Sequence, residues 1–385
     1  MTVLAARAQF LGASPIKRLW RLTDAAVHGD AATAQLIRPG DEIVAGHGLY
    51  ISVDDEVHLP EERACVRLPS TFGYLRPGDV LRVDRDRQRV RTMFRVGSRS
   101  NAILLTEQCD NHCLMCSQPP KIAEDSWLYS EAMELLKLIP NNAVELGLTG
   151  GEPTLNASAL LQLLERARVT LPNTDLHLLT NGRRFAQAGF ADDFVRVGHP
   201  RLMVGIPLYG AEPALHDYVV QALGAFDETV RGILSLASRG VAVEVRVVIQ
   251  RATAEHLPAI ADFIARNLPF VSQVALMGLE MTGLAVANSD RVWIDPTEYW
   301  NELVDATHRL ASGGVQTRIY NHPLCLIDSR LHGFAVRSIS DWKQTYVDEC
   351  HTCELQDACG GVFATSRHRV SPNIRAVTGD QRVGA

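Results

Sequence analysis

The chain has 385 residues, 46% hydrophobic and 21% charged, with a formal net charge of -6. That length suits one large α/β domain with additions, or two to three domains. The acidic balance offers no overall electrostatic reason to expect nucleic-acid binding, and ordinary Gly and Pro content excludes a collagenous or disordered chain. No apolar stretch approaches the length of a membrane span. Met1 to Trp20 has no basic region leading into an apolar core, so a secretory signal is not expected. The expected location is cytoplasmic, where closely spaced thiols read as metal or cluster ligands before disulfides.

Residues 1–97 read as a small β-rich domain. Short β-branched runs at 41–44, 48–53, 64–68 and 80–83 are punctuated by Pro39-Gly40-Asp41 and Pro77-Gly78-Asp79. Proline pre-sets φ and glycine accepts the positive φ that follows, so these are turn signals. Cys65 stands alone in an alternating run and is expected to be a buried structural thiol. The arginines between Arg82 and Arg99 are interrupted by Asp84 and Asp86. They suit either the solvated face of a strand pair or a surface attracting an acidic peptide leader or partner.

From residue 98 the pattern becomes strand followed by helix. Apolar strand candidates lie at 102–106, 144–148, 174–179, 202–208, 241–249 and 272–277. Amphipathic stretches at 128–139, 157–169, 184–195, 214–238 and 254–267 separate them. Repeats of this kind predict parallel strands, in an open sheet or a partial barrel. Polar and glycine-rich signatures follow the ends of the first three strands, at Cys109, Thr149 to Pro153 and Thr180 to Gly182. Active sites of parallel α/β folds gather on that edge, and one site built from all these loops favours a barrel-like curve, a partial (βα)6 TIM-like fold over 98–315. Asp295-Pro296 opens a further helix at 297–311. Residues 316–365 form a cysteine-rich segment, and 366–385 are expected to be loosely held.

Cys109-Asp110-Asn111-His112-Cys113-Leu114-Met115-Cys116 places three thiols in a loop after a strand. Three thiolates can hold three corners of a cubane iron–sulfur cluster and leave one iron open. Zinc with His112 as fourth ligand is the alternative. Gly150 and Gly151 let backbone approach a ligand closely, and Glu152 offers a charge-assisted bond to a cation. Glu244, Arg246, Val248 and Gln250 share one strand face, and charges there are expected to line a cavity. Cys325, Cys350, Cys353 and Cys359 suit a closed four-thiolate cluster, or a structural zinc site.

The Cys-x3-Cys-x2-Cys loop, followed one βα unit later by Gly150-Gly151-Glu152-Pro153, resembles the signature of the radical S-adenosylmethionine (SAM) enzymes. The resemblance implies a [4Fe-4S] cluster on Cys109, Cys113 and Cys116, whose open iron binds SAM. One electron then cleaves SAM to a 5′-deoxyadenosyl radical that takes hydrogen from a substrate. It further implies that the Gly150–Pro153 segment receives the methionyl ammonium, with Thr180, Asn181, Tyr209, Arg246 and Glu280 as candidate cosubstrate contacts. Met115 stands where that family has an aromatic residue. The C-terminal cysteines resemble the auxiliary [4Fe-4S] tails of radical peptide maturases in a shortened form, with Phe363 where a further cysteine would fall. Ser100 to Glu107, Leu114 to Pro120 and Asn321 to Cys325 resemble the C-type maturase of the His-Xaa-Ser system. That resemblance implies a ribosomally made His-Xaa-Ser repeat peptide as substrate, a companion radical SAM maturase and a low-potential electron donor. A radical enzyme acting on a small molecule or RNA base, and a zinc-stabilised scaffold or binding protein, are the rival readings.

Overall fold

The computed structural model describes residues 2–15, 18–24, 30–60 and 62–378. The first domain is one mixed sheet of Ala5–Arg7 (β1), Gln9–Leu11 (β2), Leu19–Thr23 (β3), Thr33–Ile37 (β4), Leu49–Ser52 (β5), Cys65–Arg67 (β6), Val80–Asp84 (β7) and Arg89–Phe94 (β8). Their order is β1-β8-β7-β3-β4-β5-β6-β2. Three of the expected runs become β5, β6 and β7, but 41–44 stays irregular. There the Gln35 side chain donates to the Glu42 carbonyl and accepts from the Val44 N–H, replacing a strand ladder. Trp20, Leu22, Leu49, Ile51, Leu81 and Val83 fill the core of this domain. Cys65 is buried, and its thiol donates to the Pro60 carbonyl at 3.2 Å.

The second sheet is parallel throughout. Its strands are Ala102–Leu104 (β9), Glu145–Thr149 (β10), Asp175–Leu179 (β11), Leu202–Pro207 (β12), Ala242–Val248 (β13), Gln273–Met277 (β14), Thr317–Tyr320 (β15) and Ala335–Val336 (β16), in chain order across the sheet. Helices Trp127–Leu138 (α1), Ala157–Thr170 (α2), Ala188–Val197 (α3), Pro213–Val220 (α4), Ala225–Ala237 (α5), the one-turn Arg251–Ala254 (α6) and Leu257–Asn267 (α7) follow the earlier strands. The short Leu284–Ala287 (α8) and Ser289–Val292 (α9) and the longer Trp300–Ser312 (α10) complete the set. This is an α/β fold, a partial TIM-like barrel joined to a β-rich N-terminal domain. Alternation is clean: Leu146, Leu148, Val204, Val245 and Leu276 turn toward the helices and are buried, so Gly147, His177, Gly205 and Glu244 turn inward.

Two elements differ from the sequence pattern for local reasons. The stretch 214–238 is two helices, broken where Gln221 and Gly224 take φ of 54° and 78°. The sheet also runs past residue 315, because β15 and β16 are too short to show a period. Those two strands lie inside the cysteine-rich segment, which adds a small antiparallel pair, Gln344–Thr345 (β17) and Val362–Phe363 (β18). Residues 366–378, expected to be loose, return onto the barrel. Ser366 Oγ accepts from Met281 N at 2.8 Å, and Val377 O accepts from Glu354 N at 3.0 Å. The remainder of that expected tail, 379–385, lies outside the described residues. No helix among the described residues is long and apolar enough to cross a membrane.

The two domains share a core. Leu19, Val80 and Phe94 of the first sheet belong to the same buried cluster as Ile103, Tyr129, Ala132 and Leu135 of the barrel. Arg82–Glu131 at 3.0 Å and Arg95–Asp341 at 2.8 Å are ion pairs on the same seam. Replacing Phe94 with Ala removes a ring from this shared core. The expected cost is about 3–5 kcal/mol, read as a lowered urea midpoint; an unchanged midpoint would show that the domains do not depend on one another.

Candidate functional site

The loop from β9 to α1 is held from four sides. Asp125, 7% exposed, accepts from Thr106 Oγ1 at 2.9 Å, from Glu107 N at 2.6 Å and from Gln108 Nε2 at 3.2 Å. Further on, His112 N and Leu114 N donate to the carbonyls of Val220 and Val219 at the end of α4. Asn288 Nδ2 reaches the Leu114 carbonyl at 2.8 Å, and Leu284 N reaches the Cys116 carbonyl at 2.8 Å. Gly283, at φ of 59°, passes so close that a Cβ would lie 2.5 Å from the Cys116 carbonyl.

This cage brings Cys109, Cys113 and Cys116 to one place. Burial and then the neighbouring Cys116 and Cys109 thiols push Cys113 up to about 12. Burial, partly opposed by the Asn111 N–H on its sulfur, pushes Cys109 up to about 12. Three thiols in one buried loop are the donor set that three corners of a cubane iron–sulfur cluster require. His112, offered as a zinc ligand, is exposed. Among the described residues no three His, Cys, Asp or Glu side chains converge as one metal ion requires. Met115, Leu114, Tyr209, Met281 and Val220 form a buried apolar wall against Cys113.

The Gly150–Pro153 segment lies directly on the start of that loop. Gly151 N donates to Thr106 O at 2.8 Å and Glu152 N to Gln108 O at 2.7 Å. A Cβ on Gly151 would collide with the Gln108 carbonyl, and one on Gly150 would lie 2.8 Å from the Thr106 carbonyl. Both glycines are therefore needed for loop against loop, a constraint that spacing could not reveal. Glu152 is 1% exposed. Its Oε1 accepts from Thr154 N, Thr154 Oγ1 and Thr180 Oγ1 at 2.9, 2.6 and 2.7 Å, and its Oε2 from Asn181 N at 2.6 Å. Burial nonetheless holds this carboxyl above its ordinary range. The Pro153 carbonyl accepts from Tyr129 OH at 2.6 Å.

Thr180 and Asn181 thus face protein partners. Asn181 Nδ2 donates to Asp110 Oδ1 at 2.6 Å, tying the end of β11 to the cysteine loop. Sequence reasoning passed over Arg183, whose Nη1 donates to Asn111 Oδ1 at 2.7 Å while its Nε donates to Glu228 at 2.6 Å. Arg183 follows the Thr-Asn-Gly turn, and a basic residue just past such a turn was the available signal.

Inside the barrel, Arg246 Nη1 lies 3.2 Å from Glu244 Oε1, and His177 Nε2 lies 3.4 Å from the same oxygen. Gln273 Nε2 also donates to Glu244. Glu244 is thereby fully partnered within the barrel, and Arg246 passes beside Gly205, where a Cβ would lie 3.1 Å from its Cδ. Tyr209 is buried, and burial followed by the nearby Cys113 raises its hydroxyl well above the usual tyrosine range. Glu280 lies at the mouth, bonded to Lys343 Nζ at 2.9 Å and Thr365 Oγ1 at 2.7 Å.

Cys325, 25 residues before Cys350, joins Cys350, Cys353 and Cys359 around one small cavity with Leu324, Tyr346, Ile374 and Arg375. Leu324 N and Gly361 N point at Cys359 Sγ at 3.4 and 3.3 Å, and Val377 N points at Cys353 Sγ at 3.4 Å. Backbone N–H groups aimed at sulfur suit thiolates that carry charge. Residues 374–377 help close this cavity, which the expected loose tail concealed.

Residues 103–264 match the family described as the Radical SAM superfamily, so the barrel carries a domain of that type. Such a domain implies a [4Fe-4S] cluster and SAM. No curated protein matches the chain. Among solved structures, the chain is similar to Streptococcus suis SuiB bound to precursor peptide SuiA, at 14% identity and a TM-score of 0.46. That match covers 58% of this chain and 49% of the other, so the chain spans about half the length of SuiB. It is also similar to native anSMEcpe with bound AdoMet and Cp18Cys peptide, at 19% identity, a TM-score of 0.42, and coverage of 56% and 63%.

Two predictions come from this geometry. Gly151→Ala forces the Gln108 carbonyl aside and should lower the thermal midpoint by several degrees, whereas Gly189→Ala, in open space, should not. Burial lowers His177 and His322 to about 4, from about 6.5 in an unfolded chain. Both stay neutral when folded, so the unfolded state binds more protons between those values. Stability should therefore fall as pH drops from about 6.5 to about 4, by up to about 1.4 kcal/mol per pH unit for each histidine. His322→Gln should flatten the urea-midpoint profile over that window; an unchanged slope contradicts the assignment.

Proposed function

We propose that the chain is a radical SAM peptide maturase that modifies a ribosomally made peptide of the His-Xaa-Ser repeat type, with a companion maturase and a low-potential electron donor. The observation that carries the reading is the interlock of the cysteine loop with the Gly150–Pro153 segment, at the C-terminal edge of the first two parallel strands. When bound, a [4Fe-4S] cluster with one open iron supplies the electron that splits SAM into methionine and a 5′-deoxyadenosyl radical.

The protein's own part is holding, orienting and drying. Cys109, Cys113 and Cys116 would hold the cluster. The wall of Leu114, Met115, Tyr209 and Met281 keeps water from the reacting centre. Carbonyls of Gly150 to Pro153 would receive the methionyl ammonium. Glu152 Oε2 accepts one protein hydrogen bond, and a carboxylate oxygen can accept more. Thr180 and Asn181 act in this reading through Glu152 and Asp110, as positioning residues. Arg246 would bind the cosubstrate carboxylate or ribose. Glu280 is fixed by Lys343 and Thr365 for the adenine side. Cys325, Cys350, Cys353 and Cys359 would hold an auxiliary [4Fe-4S] cluster, a role supported by the N–H groups aimed at sulfur and by thiols that ring a cavity.

Protein prepared without oxygen should contain about eight irons per chain, as two cubane clusters require. Cys113→Ala should lose about half of the iron and all formation of 5′-deoxyadenosine, while a Cys350→Ala, Cys353→Ala double variant keeps the other half. Incubation of wild type with SAM, reductant and a His-Xaa-Ser repeat peptide should change the peptide mass. Zinc in place of iron, or full SAM cleavage by folded C113A, overturns the reading.

A further inference from the structure

A cavity of about 510 Å³ lies between the two domains, within the ~300–1,000 Å³ range of ligand sites. One wall is β9, the last strand on its side of the barrel sheet and, among the described residues, paired only with β10. Asn101 O and Leu105 N bond toward β10. Because backbone groups alternate along a strand, the N–H and C=O of Ala102 and Leu104 point the other way. None of these four groups has a hydrogen-bond partner among the described residues. Ala102 is exposed, so β9 offers an open edge inside a cavity rather than on a flat surface.

The cavity leads to the cysteine loop. It is lined by Ser117 and Gln118 beyond Cys116, and by Thr149 just before Gly150. The Gln118 carbonyl accepts from the Cys116 thiol at 3.0 Å. Anything lying along β9 therefore reaches the proposed reaction centre from the side.

Its opposite wall is basic. Arg82 and Arg91 stand directly opposite each other on β7 and β8 and both line the cavity. Like charges so placed repel. Arg82 is offset by Glu131 at 3.0 Å, Arg95 by Asp341 at 2.8 Å and Lys343 by Glu280 at 2.9 Å. Among the described residues Arg91 has no ion pair, and Arg95 Nη1 is buried with no hydrogen-bond partner. Four cations thus line the cavity against Glu131 and Glu280 on its wall and Asp341 beside it, which leaves Arg91 in excess.

We propose that the substrate peptide enters this cavity as an extended strand added to the open edge of β9, with an acidic side chain held by Arg91. The proposal rests on the peptide-maturase reading and deepens it by assigning the bound conformation and the charge of the recognised segment. Main-chain bonds to Ala102 and Leu104 would give affinity without regard to sequence, and Arg91 would select acidic residues. Alternate side chains of the bound strand then face the barrel and the N-terminal domain in turn.

The test uses the full chain and three fluorescein-labelled octapeptides, (Glu-Thr)4, (Gln-Thr)4 and (Lys-Thr)4, followed by anisotropy. The Glu peptide should bind at least tenfold more tightly than the Lys peptide. Arg91→Glu should reverse that order, and Arg91→Gln should abolish it. N-methylation of all Glu residues, or instead of all Thr residues, blocks alternate N–H groups. One set should abolish binding to wild type and the other should leave it within about twofold. Equal loss from both sets, equal binding of the three peptides, or no binding at millimolar peptide overturns the proposal. Formation of 5′-deoxyadenosine without peptide is measured separately. Patterned binding without it would sink the radical reading alone, and its presence without patterned binding would sink this one alone.

Discussion

The site depends on one steric condition: two neighbouring loops at the barrel rim must touch backbone to backbone. Gly151 against Gln108 and Gly150 against Thr106 leave no room for a side chain. The contact is closed by hydrogen bonds from Gly151 and Glu152 to the carbonyls of Thr106 and Gln108. Once it forms, Cys109 is carried against the second strand's loop, and Glu152 is aimed at the third.

Glu152 then extends the constraint. A buried carboxyl is expensive unless it is fully hydrogen-bonded, and this one takes four bonds from Thr154, Thr180 and Asn181. Asn181 and Arg183 pass the link back to Asp110 and Asn111. The cysteine loop is therefore clamped from both sides by groups that also hold one another. Residues with the right chemistry for a cosubstrate are here first used to build the cradle, and their remaining lone pairs and carbonyls are what a ligand could meet.

The second cysteine group obeys a different logic. Its thiols come from three separate turns, and residues 374–377 help close the cavity between them. The N-terminal domain is likewise more than an appendage. Leu19, Val80 and Phe94 anchor it in the barrel's core, and the anchoring leaves a basic, strand-edged cavity beside the cysteine loop.

Local sequence determined a good deal here. Apolar runs with helical stretches between them marked six strands of the barrel, since period and length survive in a parallel α/β repeat. Cysteine spacing and adjacent glycines marked the rim, since those residue types have few other reasons to cluster. Only tertiary structure decided the rest. Short strands such as Ala335–Val336 carry no period and exist because a neighbour pairs with them. Thr180 lies 28 residues from Glu152, Glu228 45 residues from Arg183, and Thr365 85 residues from Glu280. The open edge of β9 is an absence of pairing among the described residues, set by where the sheet stops. No local pattern encodes contacts at such separation, because side-chain type states what a group can bond but not which distant group the fold will bring to it.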